Sequence, residues 1–108
     1  MGRRSDVAIM VDEKHAENFG RILIENDMLT KASRTDKTDN GVTGVYFESI
    51  KWERNEYPEI ESIISFLDGL EFSEYGVIEI DGSSDGQYLY GSPHNFDLYV
   101  NMTIDMPF

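Results

Sequence analysis

Between residues 96 and 106 apolar and polar positions alternate without a break. Phe96, Leu98, Val100, Met102, Ile104 and Met106 are apolar, and Asp97, Tyr99, Asn101, Thr103 and Asp105 between them are polar or tyrosine. A strand turns successive side chains to opposite faces, whereas a helix would scatter these six around its circumference. The pattern predicts a long closing strand with one buried and one open face.

Upstream, Val7, Ala8, Ile9, Met10 and Val11 are apolar at consecutive positions. Such a run predicts a strand over 6–12 buried on both faces, inside the sheet. Asp12 is placed to cap a helix, and Glu13 and Glu17 suit its positive end. Ala16, Phe19, Ile22, Leu23 and Leu29 then recur at near-helical spacing, predicting a helix over about 13–28. Residues 30–41 contain almost no apolar side chain and predict a mobile loop. Its Lys31, Arg34 and Lys37 form a basic cluster without the aromatic or glycine pattern of a nucleotide or phosphate site.

Residues 42–53 predict a second strand, entered from the turn dipeptide Asn40-Gly41. Val45 and Phe47 fall on one face of it, Ile50 and Trp52 on the other, and a bulge near Glu48-Ser49 would reconcile them. Pro58 then opens a second helix, with Ile60, Ile63, Ile64, Leu67 and Leu70 as its apolar stripe and Glu61, Ser62, Ser65 and Asp68 outward. Residues 75–81 and 87–90 predict two more strands joined by the turn 81–86, and a loop carrying Pro93 precedes the last strand. The order strand, helix, strand, helix, three strands predicts a single small α+β domain over 1–108. Its sheet is mostly antiparallel, of about five strands, with two helices on one face.

Charge changes the picture more than composition does. All nine Lys and Arg lie in residues 1–54 beside ten acids, a balance of −1. Residues 55–108 hold eleven acids and no Lys or Arg, a balance of −11. Surfaces normally mix both signs, because concentrated like charge opposes compaction. A one-signed half suits a protein that meets a basic partner, and it argues against direct binding to nucleic acid or an anionic membrane. A solubilising role explains the same asymmetry without a partner. Cysteine is absent, which excludes disulfides and thiolate chemistry. The apolar run after Arg3 and Arg4 is too short for a signal segment or membrane span, so a cytoplasmic protein is expected.

No motif fixes a reaction. Asp81, Ser83 and Asp85 with Gly86 match the opening of an EF-hand calcium loop, but Ser92 stands where the bidentate Glu belongs, and turn chemistry alone accounts for these residues. His15 and His94 form no zinc or iron pattern, and no nucleophile elbow is present. No cofactor or metal is expected.

The more informative pattern is a face. With Ile78, Ile80, Leu89 and the even positions after 96 turned inward, Tyr75, Glu79, Asp81, Tyr88, Tyr90, Asp97, Tyr99 and Asp105 would lie together on an open sheet face. Tyrosines among carboxylates suit a surface that grips Arg and Lys of a partner, although cross-strand tyrosines also stabilise an exposed sheet. In size and charge the chain resembles small acidic inhibitors of the anti-restriction and anti-CRISPR kind and toxin-neutralising immunity proteins. The resemblance implies a non-enzymatic inhibitor of a basic partner, a nucleic-acid-binding protein or toxin. Two alternatives stand beside it: a self-assembling module using the open sheet face or the last strand, and a small metal-dependent enzyme using Asp81 and Asp85.

Overall fold

The structure, a computed structural model, describes residues 4–52, 56–81, 86–101 and 103–108. The strands are β1 (Arg4–Val11), β2 (Arg34–Thr38), β3 (Gly41–Lys51), β4 (Tyr75–Asp81) and β5 (Gln87–Gly91). They form one antiparallel sheet in the order β2-β3-β1-β4-β5. The strand with the continuous apolar run, Val7 to Val11, is the central one, as a run without alternation requires. The fold is α+β, with helices α1 (Ala16–Glu25) and α2 (Pro58–Asp68) side by side on one face.

Two cores follow from the period of two. Val7, Ile9 and Val11 point toward the helices, joined by Val45, Phe47 and Val77 and covered by Phe19, Leu23, Ile60, Ile63 and Leu67. Ala8 and Met10 point the other way, with Ile78, and are covered by Leu98 and Ile104. The second cover is the segment 93–108, so the expected one-sided sheet is in fact covered on both faces.

That segment is also the main departure from expectation. Residues 96–106 do not form one strand. A 3-10 turn (Pro93–Phe96) leads to Asp97 in the left-handed region at φ 58°, and a separate hairpin follows, β6 (Tyr99–Asn101) and β7 (Thr103–Asp105). Its register pairs Tyr99 with Asp105, Val100 with Ile104 and Asn101 with Thr103, symmetrically about position 102. Even residues pair with even and odd with odd across the two arms. The alternation is therefore satisfied by a hairpin as well as by a long strand.

Close approach fixes the cover in place. A Cβ on Gly76 of β4 would lie 2.5 Å from Pro93 Cα, and one on Gly44 of β3 would lie 2.8 Å from Phe108 Cε1. Glycine at both sites lets the segment lie directly on the sheet. Arg34 Nη1 donates to the Phe108 carbonyl at 3.0 Å, tying the segment to the β2 edge.

The predicted loop 30–41 instead contains β2, paired with β3 from Arg34↔Tyr46 to Thr38↔Gly41. An edge strand of Arg, Thr, Asp, Lys and Thr carries no apolar alternation, so polarity disguised it. Between the pairs Ser5↔Ile50 and Val7↔Phe47 the register shifts, leaving Asp6 opposite Glu48 and Ser49. This is the expected bulge, and it brings Ile50 and Trp52 to the helix side with Val45 and Phe47. Helix α1 is shorter than predicted: a 3-10 turn (Glu13–His15), capped by Asp12 through Lys14 N–H at 3.1 Å, precedes it.

Candidate functional site

Cross-strand partners share a face, so the register places each residue of the expected tyrosine–carboxylate surface. Glu79 pairs with Val7 and Tyr88, Val77 with Ile9 and Tyr90, and Asp81 with Ser5. Tyr75, Glu79, Asp81, Tyr88 and Tyr90 thus belong to the helix-covered face, the reverse of the expected orientation. Tyr75 and Tyr90 pack against its core, and Glu79 is only 9% exposed, Asp81 8%. Tyr88 alone of the five is well exposed, at 47%. Asp97 and Tyr99 lie on the cover of the opposite face, where Tyr99 is exposed and its ring stacks on His94 at 5.1 Å. Asp105 pairs with Tyr99 in β7, and its side chain lies outside the described residues. The seven whose side chains are described are divided between the two sides of the sheet and form no single face.

The calcium-like turn lies outside the described residues apart from its ends, Asp81 and Gly86. Asp85, the second carboxylate of the enzyme reading, is among those outside. Among the described residues, no three His, Asp or Glu side chains are grouped to hold a metal.

Negative charge is presented elsewhere, along the outer side of α2. Ile60, Ile63, Ile64 and Leu67 fill the core, which leaves Glu61, Ser65 and Asp68 facing solvent at i, i+4 and i+7. The chain leaves the helix through the 3-10 turn Phe72–Glu74, whose backbone is held by a reciprocal capping box between Glu71 and Glu74. Glu71 is exposed beside Phe72, which is 70% exposed. A lone aromatic between Glu71 and Ser73-Glu74 is the sequence signal for this exposed ring.

Two acids of this region are already engaged: the Glu71 side chain accepts the Glu74 backbone N–H, and Glu74 meets two basic side chains. Glu74 forms an ion pair with Lys14, and His15 Nε2 lies 3.2 Å from its Oε1, in ion-pair range but without hydrogen-bond geometry. The Lys14 ammonium, with the Glu71 backbone N–H helping, holds the Glu74 carboxyl far below its ordinary value of 4.5, at about 2. No Lys or Arg follows residue 54, so Glu61 and Asp68 have none on their own half of the chain, while Glu71 lies near enough to Lys14 to help hold its ammonium charged.

The sheet edges differ as well. The β2 edge carries Arg34, Asp36 and Lys37 and a register irregularity between Asp36 and Lys37, both of which discourage further pairing. The β5 edge reads Gln-Tyr-Leu-Tyr-Gly, without a charge or proline. Asp81 N–H donates to the Gly86 carbonyl at 2.9 Å and Ser92 N–H to the Tyr75 carbonyl at 2.7 Å, which sets the phase of the ladder. By alternation the N–H and C=O groups of Gln87 and Leu89 turn outward. Leu89 itself is 46% exposed.

No helix among the described residues is long and apolar enough to cross a membrane. No protein-family model, curated protein or solved structure matches the chain.

Proposed function

We propose that this chain is a small, non-enzymatic, acidic interaction protein of the cytoplasm that binds a basic, nucleic-acid-receiving surface of another protein. The observation that carries the reading is the outer side of α2. There Glu61 and Asp68 stand in solvent, and Glu71 and the exposed Phe72 follow in the turn after the helix, in a half of the chain with no Lys or Arg. Carboxylates so placed take positions that phosphates would otherwise occupy, and Phe72 supplies the apolar anchor that charge alone lacks. Inhibitors of the anti-restriction, anti-CRISPR or immunity type, which the chain resembles in size and charge, would act in this way.

The surface proposed is not the tyrosine face of the sequence reading, because Glu79 and Asp81 are buried. Binding is measured against a panel of basic DNA-binding proteins and toxins, with duplex DNA as competitor. The expected result is salt-sensitive binding, competition by DNA, and at least tenfold weakening in the E61K/D68K/E71K variant. Affinity unchanged by that triple reversal removes the α2 surface from the reading.

A second reading, self-assembly, rests on β5. A second copy adding its own β5 in antiparallel register would pair the outward groups of Gln87 and Leu89 with their equivalents. Sedimentation then shows a concentration-dependent dimer that L89K abolishes, and a monomer at every concentration dismisses it.

A further inference from the structure

The three cations of the stretch 30–41 go to three separate places. Arg34 reaches Phe108, Lys37 lines a groove beside α1, and Lys31 joins Arg4 and Lys51 around a cleft of about 300 Å³. Arg4 and Lys51 are directly opposite in the β1–β3 ladder, an arrangement that like charges make unfavourable. Lys31 comes from the 3-10 turn Leu29–Lys31. Among the described residues no carboxylate lies within ion-pair distance of any of the three, in a protein with 21 acids and nine bases. Among the described residues Glu59 is the one acid on the cleft wall, so a surplus of two positive charges remains among them.

The first turn of α2 forms part of the same wall. Tyr57, its N-cap, makes no side-chain cap hydrogen bond, so the positive end of the helix adds to the cations. The floor is apolar, formed by Met28, Ile50 and Ile60, and the Tyr57 ring stands beside it. Net charge of −12 does not cancel this local field, because at physiological salt charges beyond about 8 Å are screened.

We infer that this cleft binds a small phosphoester of about nucleoside-monophosphate size. Three cationic side chains lining one cleft from separate elements suit a phosphate better than a carboxylate, whose preferred partner is one bidentate Arg. Arg4 already gives Nη1 to the Ser49 carbonyl at 2.7 Å, which orients its guanidinium and leaves its other N–H groups for the ligand. The volume lies at the lower end of small-molecule sites, and the apolar floor with Tyr57 accommodates the organic part. This site uses the opposite charge to the outer side of α2 and shares with it the first turn of that helix.

The test is titration of the whole chain with AMP, inorganic phosphate and adenosine, followed by amide chemical shifts. AMP is expected to shift Arg4, Lys31, Lys51 and Tyr57, phosphate the same residues more weakly, and adenosine none. K31E/K51E should weaken AMP at least tenfold, while E59Q, which removes the opposing charge, should tighten it several-fold. K37E should leave it unchanged. An equal loss in K37E, no tightening in E59Q, or AMP shifts spread away from the cleft would overturn the assignment. So would an oligothymidylate that binds the cleft more tightly than AMP.

Discussion

Asp6 Oδ1 accepts the backbone N–H of Ser49 at 2.9 Å, and Ser49 sits in the left-handed region at φ 53°. On the other side of the same residue, Arg4 Nη1 donates to the Ser49 carbonyl. Two side chains of β1 therefore hold the bulge that turns Ile50 and Trp52 to the helix side. Substitutions of the two partners should have opposite signs. Asp6→Ala leaves the strained N–H without its carboxylate and should cost about 1 kcal/mol. Ser49→Gly removes the strain of a non-glycine residue at positive φ and should stabilise by about 0.5 kcal/mol. Urea denaturation of the two variants decides it.

Glu74 gives a pH prediction. Its folded pKa of about 2 lies below the ordinary 4.5, chiefly through Lys14. A lowered carboxylate pKa contributes stability that is present above about pH 4.5 and lost as pH falls toward 2. The wild type should therefore exceed Glu74→Gln in stability at pH 6, and the gap should close between pH 4.5 and 2. A gap that persists at pH 2 contradicts the assignment. The Glu74 carboxyl carbon, followed by NMR, should titrate near 2.

Gly76 reads the seating of segment 93–108. Backbone atoms of Pro93 stand where its Cβ would be, so Gly76→Ala must push the segment off β4. A loss of about 2–3 kcal/mol is expected, with faster hydrogen exchange confined to residues 93–108 and their contacts in β4. Uniform exchange across the sheet would show that the cover is not a separate unit.

Leu98 and Leu89 separate the observed fold from an alternation count, which turns both inward. Leu98 is fully buried in the second core, and Leu89 is half exposed on the β5 edge. Leu98→Ala should cost about 3 kcal/mol and Leu89→Ala under about 1. Equal losses would contradict the hairpin.

Periodicity served best where burial was extreme. The central strand and both helices could be read from Val7 to Val11 and from the Phe19, Leu23 and Ile60, Ile63, Leu67 stripes, because nothing else accounts for so much apolar surface. Asp12 and the Glu48-Ser49 bulge were legible because capping and parity each leave a local mark. β2 was not, since an edge strand with one polar neighbourhood needs no apolar side chain. The direction of Glu79 was not legible either: alternation says that Val77 and Glu79 share a face but not which cover lies over it. Ile78 and Ile80 look like core residues, and they are, of the second core. On α2 the apolar stripe made Glu61 and Asp68 legible as outward positions, and both are exposed.

The position of β1 bears on synthesis. It is made before the other four strands of its sheet, yet it is the middle one, and its neighbours are residues 41–51 and 75–81. While the chain emerges from a ribosome, Val7 to Val11 stay unpaired on one side until β4 is complete. Ala8 and Met10 stay bare until Leu98 and Ile104 arrive. A strand with this composition is a ready template for aggregation during that interval. Acids on both sides of it, Asp6 and Asp12, are the gatekeepers the nascent chain carries.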